Sequence, residues 1–353
     1  MRSGDTQRAL AGTALPNPII IIPQDEKGRT VGNQTATFTI IAGGGSLSSS
    51  TGTVNGDGTI TAPTWTLGNT DTAQEMRVQI GAKTLIVTAS IQTSYTLAVR
   101  FFGAPVKTEH GALFTRAAAR IRAIVVGGLP LVNVEGADVT PCTGPGSNVA
   151  PLTGTIDGLV IYASVDSIDG PRKVLGQAGP CFIREENGVL DYRTVIGIMK
   201  FDSADIAALF GNENLQNVIT HEMLHTLGVG TFWDDKNLLI NSGQPGAAYT
   251  GARGIAGCRE VGGTAICTSS VPVEDCEGIP AALNCGEGQR EGHWKETTFG
   301  TELMTSYLSN TNFLSVMTIR SLGDLNYEVN PAAADPYTVP TPAFSFGGAS
   351  SSA

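Results

Sequence analysis

The sequence predicts two folded units in series: an all-β sandwich over residues 1–94 and an α+β domain over residues 95–338, followed by a tail over residues 339–353. Three observations predict this. Short strand-like runs recur every eight to twelve residues or so up to about Tyr95. After Tyr95 the order becomes strand, helix, strands and a second helix. At 353 residues the chain is also long for one domain, and two is the ordinary expectation.

In the first unit, residues 18–23 read as a short apolar strand, and residues 36–42 alternate around Phe38 and Ile40. Residues 43–46 read as a turn. Asn55-Gly56-Asp57-Gly58 reads as a hairpin turn, because Asn and Gly supply the positive φ that tight hairpins need. Residues 64–68, 76–80 and 85–91 supply further strands, the last putting Leu85, Val87, Ala89 and Ile91 on one face.

In the second unit, Tyr95, Leu97, Val99 and Phe101 alternate as a strand. Residues 110–126 read as an amphipathic helix, with Phe114, Ala117, Ala118, Ile121 and Val125 on one side and Arg116, Arg120 and Arg122 on the other. Gly127-Gly128-Leu129-Pro130 ends it. Residues 159–165 and 194–201 are apolar strands with residues 181–183 between them. Leu215, Val218, Ile219, Leu224 and Leu227 then recur at helical steps, and Gly228 falls where a C′ glycine ends a helix. Residues 229–292 show little periodicity and are rich in glycine, and they hold four of the six cysteines. Ser315 reads as the N-cap of a helix carrying Val316, Ile319 and Leu322, and Asp335-Pro336-Tyr337 closes the domain.

The second of those helices carries His221-Glu222-Met223-Leu224-His225. Histidines at i and i+4 lie one turn apart on one helix face, so both imidazoles reach one metal ion, with the glutamate between them beside it. A catalytic zinc site takes three protein ligands and leaves one position open. The chain has four histidines, and His293 is the one that follows the pair. Downstream come Glu302-Leu303-Met304-Thr305.

These residues in this order resemble the metzincins, and within them the leishmanolysin family of zinc metallopeptidases. The compact metzincin pattern puts a third histidine six residues after the second; Thr231 stands there, and the leishmanolysin-like arrangement moves the ligand past an insertion to the His293-Trp294-Lys295-Glu296 segment. The resemblance covers residues 95 to 337. It implies a mixed twisted sheet above an active-site helix with a loop-rich lower part. It implies one zinc ion held by His221, His225 and His293, with Glu222 as general base and Met304 and Gly228 structural. It also implies an edge strand near residues 181–183 for an extended substrate, and a Cys142–Cys181 bridge. Tyr307 stands three residues past Met304, where some metzincins carry a tyrosine two past it, and is given no catalytic role. Glu296 is expected to serve structure rather than catalysis, and His110 to be neutral to function. The glycine-, serine- and threonine-rich run over residues 43–68 resembles bacterial Ig-like domains of surface proteins.

Composition bounds the rest. A net charge of −10 excludes a nucleic-acid partner, which would need a basic face. No apolar run reaches the length of about eighteen residues that a membrane span requires. The six cysteines, Cys142, Cys181, Cys258, Cys267, Cys276 and Cys285, are even in number and without a CxxC pair, which suits three disulfides and an oxidising compartment. Cys258–Cys267 and Cys276–Cys285 are the expected partners beside the bridge above, although spacing does not fix connectivity. Asp234-Asp235 and Asp275/Glu277 match no calcium-loop spacing and read as solvated carboxylates, so calcium has no support. Residues 1–5 carry no export signal, and no cysteine precedes Cys142 to form a cysteine-based latch. The expectation is an extracellular or cell-surface monomeric endopeptidase with protein or peptide substrates and a surface ligand for the Ig-like unit. The alternative is an adhesion protein with a silent peptidase-like domain; against it, Glu222 and the three histidines are all intact.

Overall fold

The computed structural model describes residues 3–341 except 70–72, 93, 171–173, 187, 210–212, 284 and 310. The chain divides into two compact units, Met1–Ser94 and Tyr95–Ala353, of mixed α+β content with several sheets and few helices.

The first unit is all-β among its described residues. Its main sheet has five strands in the order Gln7–Leu10, Lys83–Gln92, Gln74–Ile80, Thr35–Ala42 and Thr51–Thr53. Two ribbons accompany it, Ile20–Ile21 with Ile60–Thr61 and Gly45–Leu47 with Trp65–Leu67. Alternation does the work: Ala36, Phe38, Met76, Val78 and Val87 point into one core with Ile21, Ile60, Trp65 and Leu67.

Two expectations need correction here, and one strand was not foreseen. The Asn55–Gly58 turn forms, with Gly58 N–H donating to Asn55 O, but its flanking strands do not pair with each other. One joins the main sheet and the other a ribbon, so the turn carries the chain between sheets. Gly45 belongs to a strand and not to the turn that precedes it. The polar segment Gln7–Leu10 pairs parallel with Lys83–Gln92, a pairing made by backbone hydrogen bonds that polar side chains do not announce.

The second unit holds a four-stranded sheet in the order Leu97–Phe101, Leu159–Asp166, Val189–Asp202 and Gly176–Glu186. The first three run parallel; Gly176–Glu186 is antiparallel and lies at the edge. The helices Thr108–Ile124 and Glu213–Thr226 pack together beneath it through Leu113, Phe114, Ala117, Leu215, Val218 and Leu224. Ser315 caps Val316–Asp324, its Oγ accepting from Thr318 N–H.

The 229–292 insertion is better built than its lack of periodicity suggests. Short helices and a three-stranded sheet, Leu239–Ile240, Ala248–Tyr249 and Val271–Pro272, surround a buried aromatic trio. Trp233 and Trp294 lie 4.4 Å apart by ring centroids, and Tyr249 meets Trp294 at 5.2 Å. Each such pair adds about 0.5–1.5 kcal/mol beyond area burial. Three disulfides, Cys142–Cys181, Cys258–Cys267 and Cys276–Cys285, join the expected partners. Val339, assigned to the tail by sequence, is buried and donates its N–H to Val261 O, while residues 342–353 lie outside the described residues. No helix among the described residues is long and apolar enough to cross a membrane.

Asp202 ends the Val189–Asp202 strand and organises the connection into the edge strand. Its side chain accepts from the N–H groups of Ala204, Ile168, Asp169 and Gly170 at 2.7–3.1 Å. Burial pushes its carboxyl up, but those four donors outweigh it and bring it down to about 2. A depressed carboxylate contributes stability above its ordinary pKa of 3.8 and loses it as pH falls toward 2. Asp202→Asn is expected to lose about 1–3 kcal/mol at neutral pH. It should also flatten the acid limb of a stability profile between about pH 4 and 2, as read by denaturant unfolding.

Candidate metal centre

His221 and His225 project from the same face of the Glu213–Thr226 helix. That helix ends in a Schellman turn: Val229 N–H reaches Leu224 O, Gly228 N–H reaches His225 O, and Gly228 takes φ +101°. The reversal brings Val229 O back against His225 Nδ1 at 2.9 Å. Gly228 is therefore needed twice, for its φ and because a Cβ there would strike the Phe232 ring.

The structure brings His293 to this pair across 72 residues of sequence. The three Nε2 atoms form a near-equilateral triangle with edges of 3.0, 3.1 and 3.2 Å. Each Nδ1 lies on a backbone carbonyl: His221 on Leu303 O at 2.7 Å, His225 on Val229 O, and His293 on Gln289 O at 3.0 Å. A carbonyl only accepts, so every Nδ1 carries the proton and every Nε2 presents a bare lone pair. Three lone pairs converge with no hydrogen between them. Desolvation lowers His225 to about 4 and His293 to about 3, and takes His221 well below its ordinary value, so protonation does not relieve the convergence near neutral pH.

A cation does relieve it. Tetrahedral coordination with metal–nitrogen bonds of about 2.0–2.1 Å puts neighbouring nitrogens about 3.3–3.4 Å apart, within a few tenths of the triangle seen here. Neutral imidazoles fixed through Nδ1–H to carbonyls are the usual donor set for zinc. The residues present fit the ion.

Glu222 lines a cleft of about 440 Å³ whose walls also include His225 and His293. It is 2% exposed, and burial pushes its carboxyl up to about 8. One wall is the start of the edge strand, Gly176 to Ala178; the other is the 287–293 segment. The edge strand does contain residues 181–183, as the sequence suggests, but the part lining the cleft lies nearer its start. An edge strand offers unpaired backbone N–H and C=O groups to an added chain. Gly176 packs directly on Glu222: a Cβ there would stand 3.1 Å from Glu222 Cγ and Oε1 and from Phe201 Cδ1. Gly176→Ala is therefore expected to shift the carboxylate by a few tenths of an ångström. The unfolding midpoint should change little, and a crystal structure of the variant beside that of the parent chain checks the displacement.

The remaining residues singled out by sequence sort plainly. Met304 is fully buried in the core, one residue after the Leu303 carbonyl that seats His221, and its own carbonyl accepts from Trp294 N–H. Glu296 is buried and takes Tyr307 N–H at 3.1 Å, a structural contact. Tyr307 points its hydroxyl to Leu283 O, and it does not line the cleft. Thr231, standing where the compact pattern has a ligand, lines the cleft and donates to His225 O. His110 is buried in the Thr108–Ile124 helix. Asp275 pairs with Lys295 at 2.6 Å, and Asp234 and Asp235 are exposed. Sequence reasoning missed the carbonyl seats of Leu303, Val229 and Gln289, the contact of Gly176 with Glu222, and the buried carboxylate of Glu302. No protein-family model, curated protein or solved structure matches the chain.

Proposed function

We propose that the chain is a zinc-dependent endopeptidase of the leishmanolysin-like metzincin type, acting outside the cell, with an Ig-like N-terminal unit that attaches or spaces it. The observation that carries this is the convergence of three bare Nε2 lone pairs in a cleft that also holds a buried carboxylate and an edge strand. When bound, a zinc ion there lowers the pKa of water toward about 7 and polarises the scissile carbonyl.

The protein's own residues supply the rest. His221, His225 and His293 hold the ion in fixed tautomers. The backbone edge at Gly176 to Ala178 pairs with an extended chain and sets its register across the cleft. Glu222 is pushed toward the protonated form by burial, and a dication beside it favours the carboxylate. In that form it takes a proton from the attacking water and passes it to the leaving amine. The three disulfides accord with an oxidising compartment.

Unfolded casein is the direct test. Cleavage that a chelator stops and added zinc restores supports the function. No cleavage by a chain carrying one zinc ion would overturn the peptidase reading.

A further inference from the structure

We infer that Glu302 is a positioning residue for the histidine cluster, seating His221 and His293 through one peptide plane and one indole, which rests on the metal-site reading above. Glu302 is fully buried, and no cation pairs with it in the described contacts. Its carboxylate takes four hydrogen bonds. Met304 N–H donates to Oε2 at 2.6 Å, and Oε1 receives Ser315 Oγ at 2.6 Å, Ser315 N–H at 3.2 Å and Thr318 Oγ1 at 2.6 Å.

The Met304 bond is the informative one. Met304 N–H and Leu303 C=O belong to the same planar peptide unit and point to opposite sides of it. Glu302 holds the N–H side, and the carbonyl on the other side accepts from His221 Nδ1 at 2.7 Å. Gripping one end of the plane fixes the direction of the other. An acceptor on the N–H also makes the carbonyl a better acceptor, which raises the basicity of the imidazole beyond it.

The same carboxylate reaches the third histidine. Thr318 Oγ1 gives its proton to Glu302, so its lone pair is free for Trp294 Nε1–H at 2.8 Å. Trp294 directly follows His293, and its own N–H lies on Met304 O at 3.0 Å. One buried carboxyl group thus anchors both the seat of His221 and the residue beside His293, although Glu302 lies 81 positions after His221.

Glu302→Gln tests this, because it keeps the shape but turns one acceptor oxygen into a donor facing other donors. Cobalt(II) is the probe, since its visible bands report coordination geometry independently of activity. The expected result is a chain with wild-type far-ultraviolet dichroism that binds cobalt(II) about 10–100-fold more weakly, with altered bands. Thr318→Val, which removes the hydroxyl linking Glu302 to Trp294 and leaves the Met304 N–H bond in place, should weaken binding by less and carries the test if E302Q does not fold. Wild-type affinity and bands in the folded E302Q chain, or in T318V where E302Q fails, would overturn the positioning role and leave the metal site standing. Failure of the wild-type chain to take up cobalt(II) would instead overturn the metal site itself.

Discussion

Glu222→Gln is expected to retain one zinc ion per chain and to lose peptide hydrolysis by about 10²–10⁴-fold, the usual contribution of a positioned general base. The amide has the carboxylate's shape, so it fits a site where the side chain is 2% exposed. It cannot accept and deliver a proton. In the metal-free chain burial disfavours the charged form of Glu222, so the neutral amide costs no stability there and the unfolding midpoint of that chain should stay or rise. The loss should appear in kcat with KM little changed, because the group acts in the transition state and not in holding the chain. A Gln variant keeping a tenth or more of wild-type turnover would remove Glu222 from the mechanism.

His293→Ala has an even larger expected effect on the ion. It takes away one of three converging lone pairs and leaves His221 and His225 at 3.0 Å as a two-donor site. Affinity should fall beyond the 10–100-fold that losing an outer partner costs, to the point where the purified chain carries no zinc. Stability gives a second readout. Ligand at about 100 times its dissociation constant stabilises a folded chain by about 2.7 kcal/mol. A chelator should therefore lower the melting midpoint of the wild type and leave that of the variant unmoved. Equal chelator sensitivity in both would mean that His293 holds nothing.

What the sequence makes legible follows the kind of interaction involved. The histidine helix is readable because Leu215, Val218, Ile219, Leu224 and Leu227 repeat at the helical period, and Gly228 marks its end. The whole turn after it follows from that glycine, including the return of Val229 O to His225, so this seat was derivable in principle. The seats of His221 and His293 were not. Leu303 O and Gln289 O are backbone atoms, and no side chain advertises a carbonyl. Gly176 is one glycine among 44, and only its contact with Glu222 distinguishes it. Glu302 did leave a signal, a carboxylate immediately before the apolar Leu303-Met304, where an unpaired charge would be costly to bury. Trp233 and Tyr249 of the insertion and Trp294 just after it are too far apart in sequence to form a period, so their joint core appears only once the chain is folded.

X-ray absorption at the zinc edge, on chain loaded with one equivalent of zinc, tests the metal centre most directly. Three imidazole nitrogens at about 2.0–2.1 Å with one further light atom is the predicted shell. The His293→Ala chain, treated in the same way and then freed of loose ions, should retain no stoichiometric zinc. A chain that takes up no stoichiometric zinc, or a shell without three imidazoles, would contradict the account.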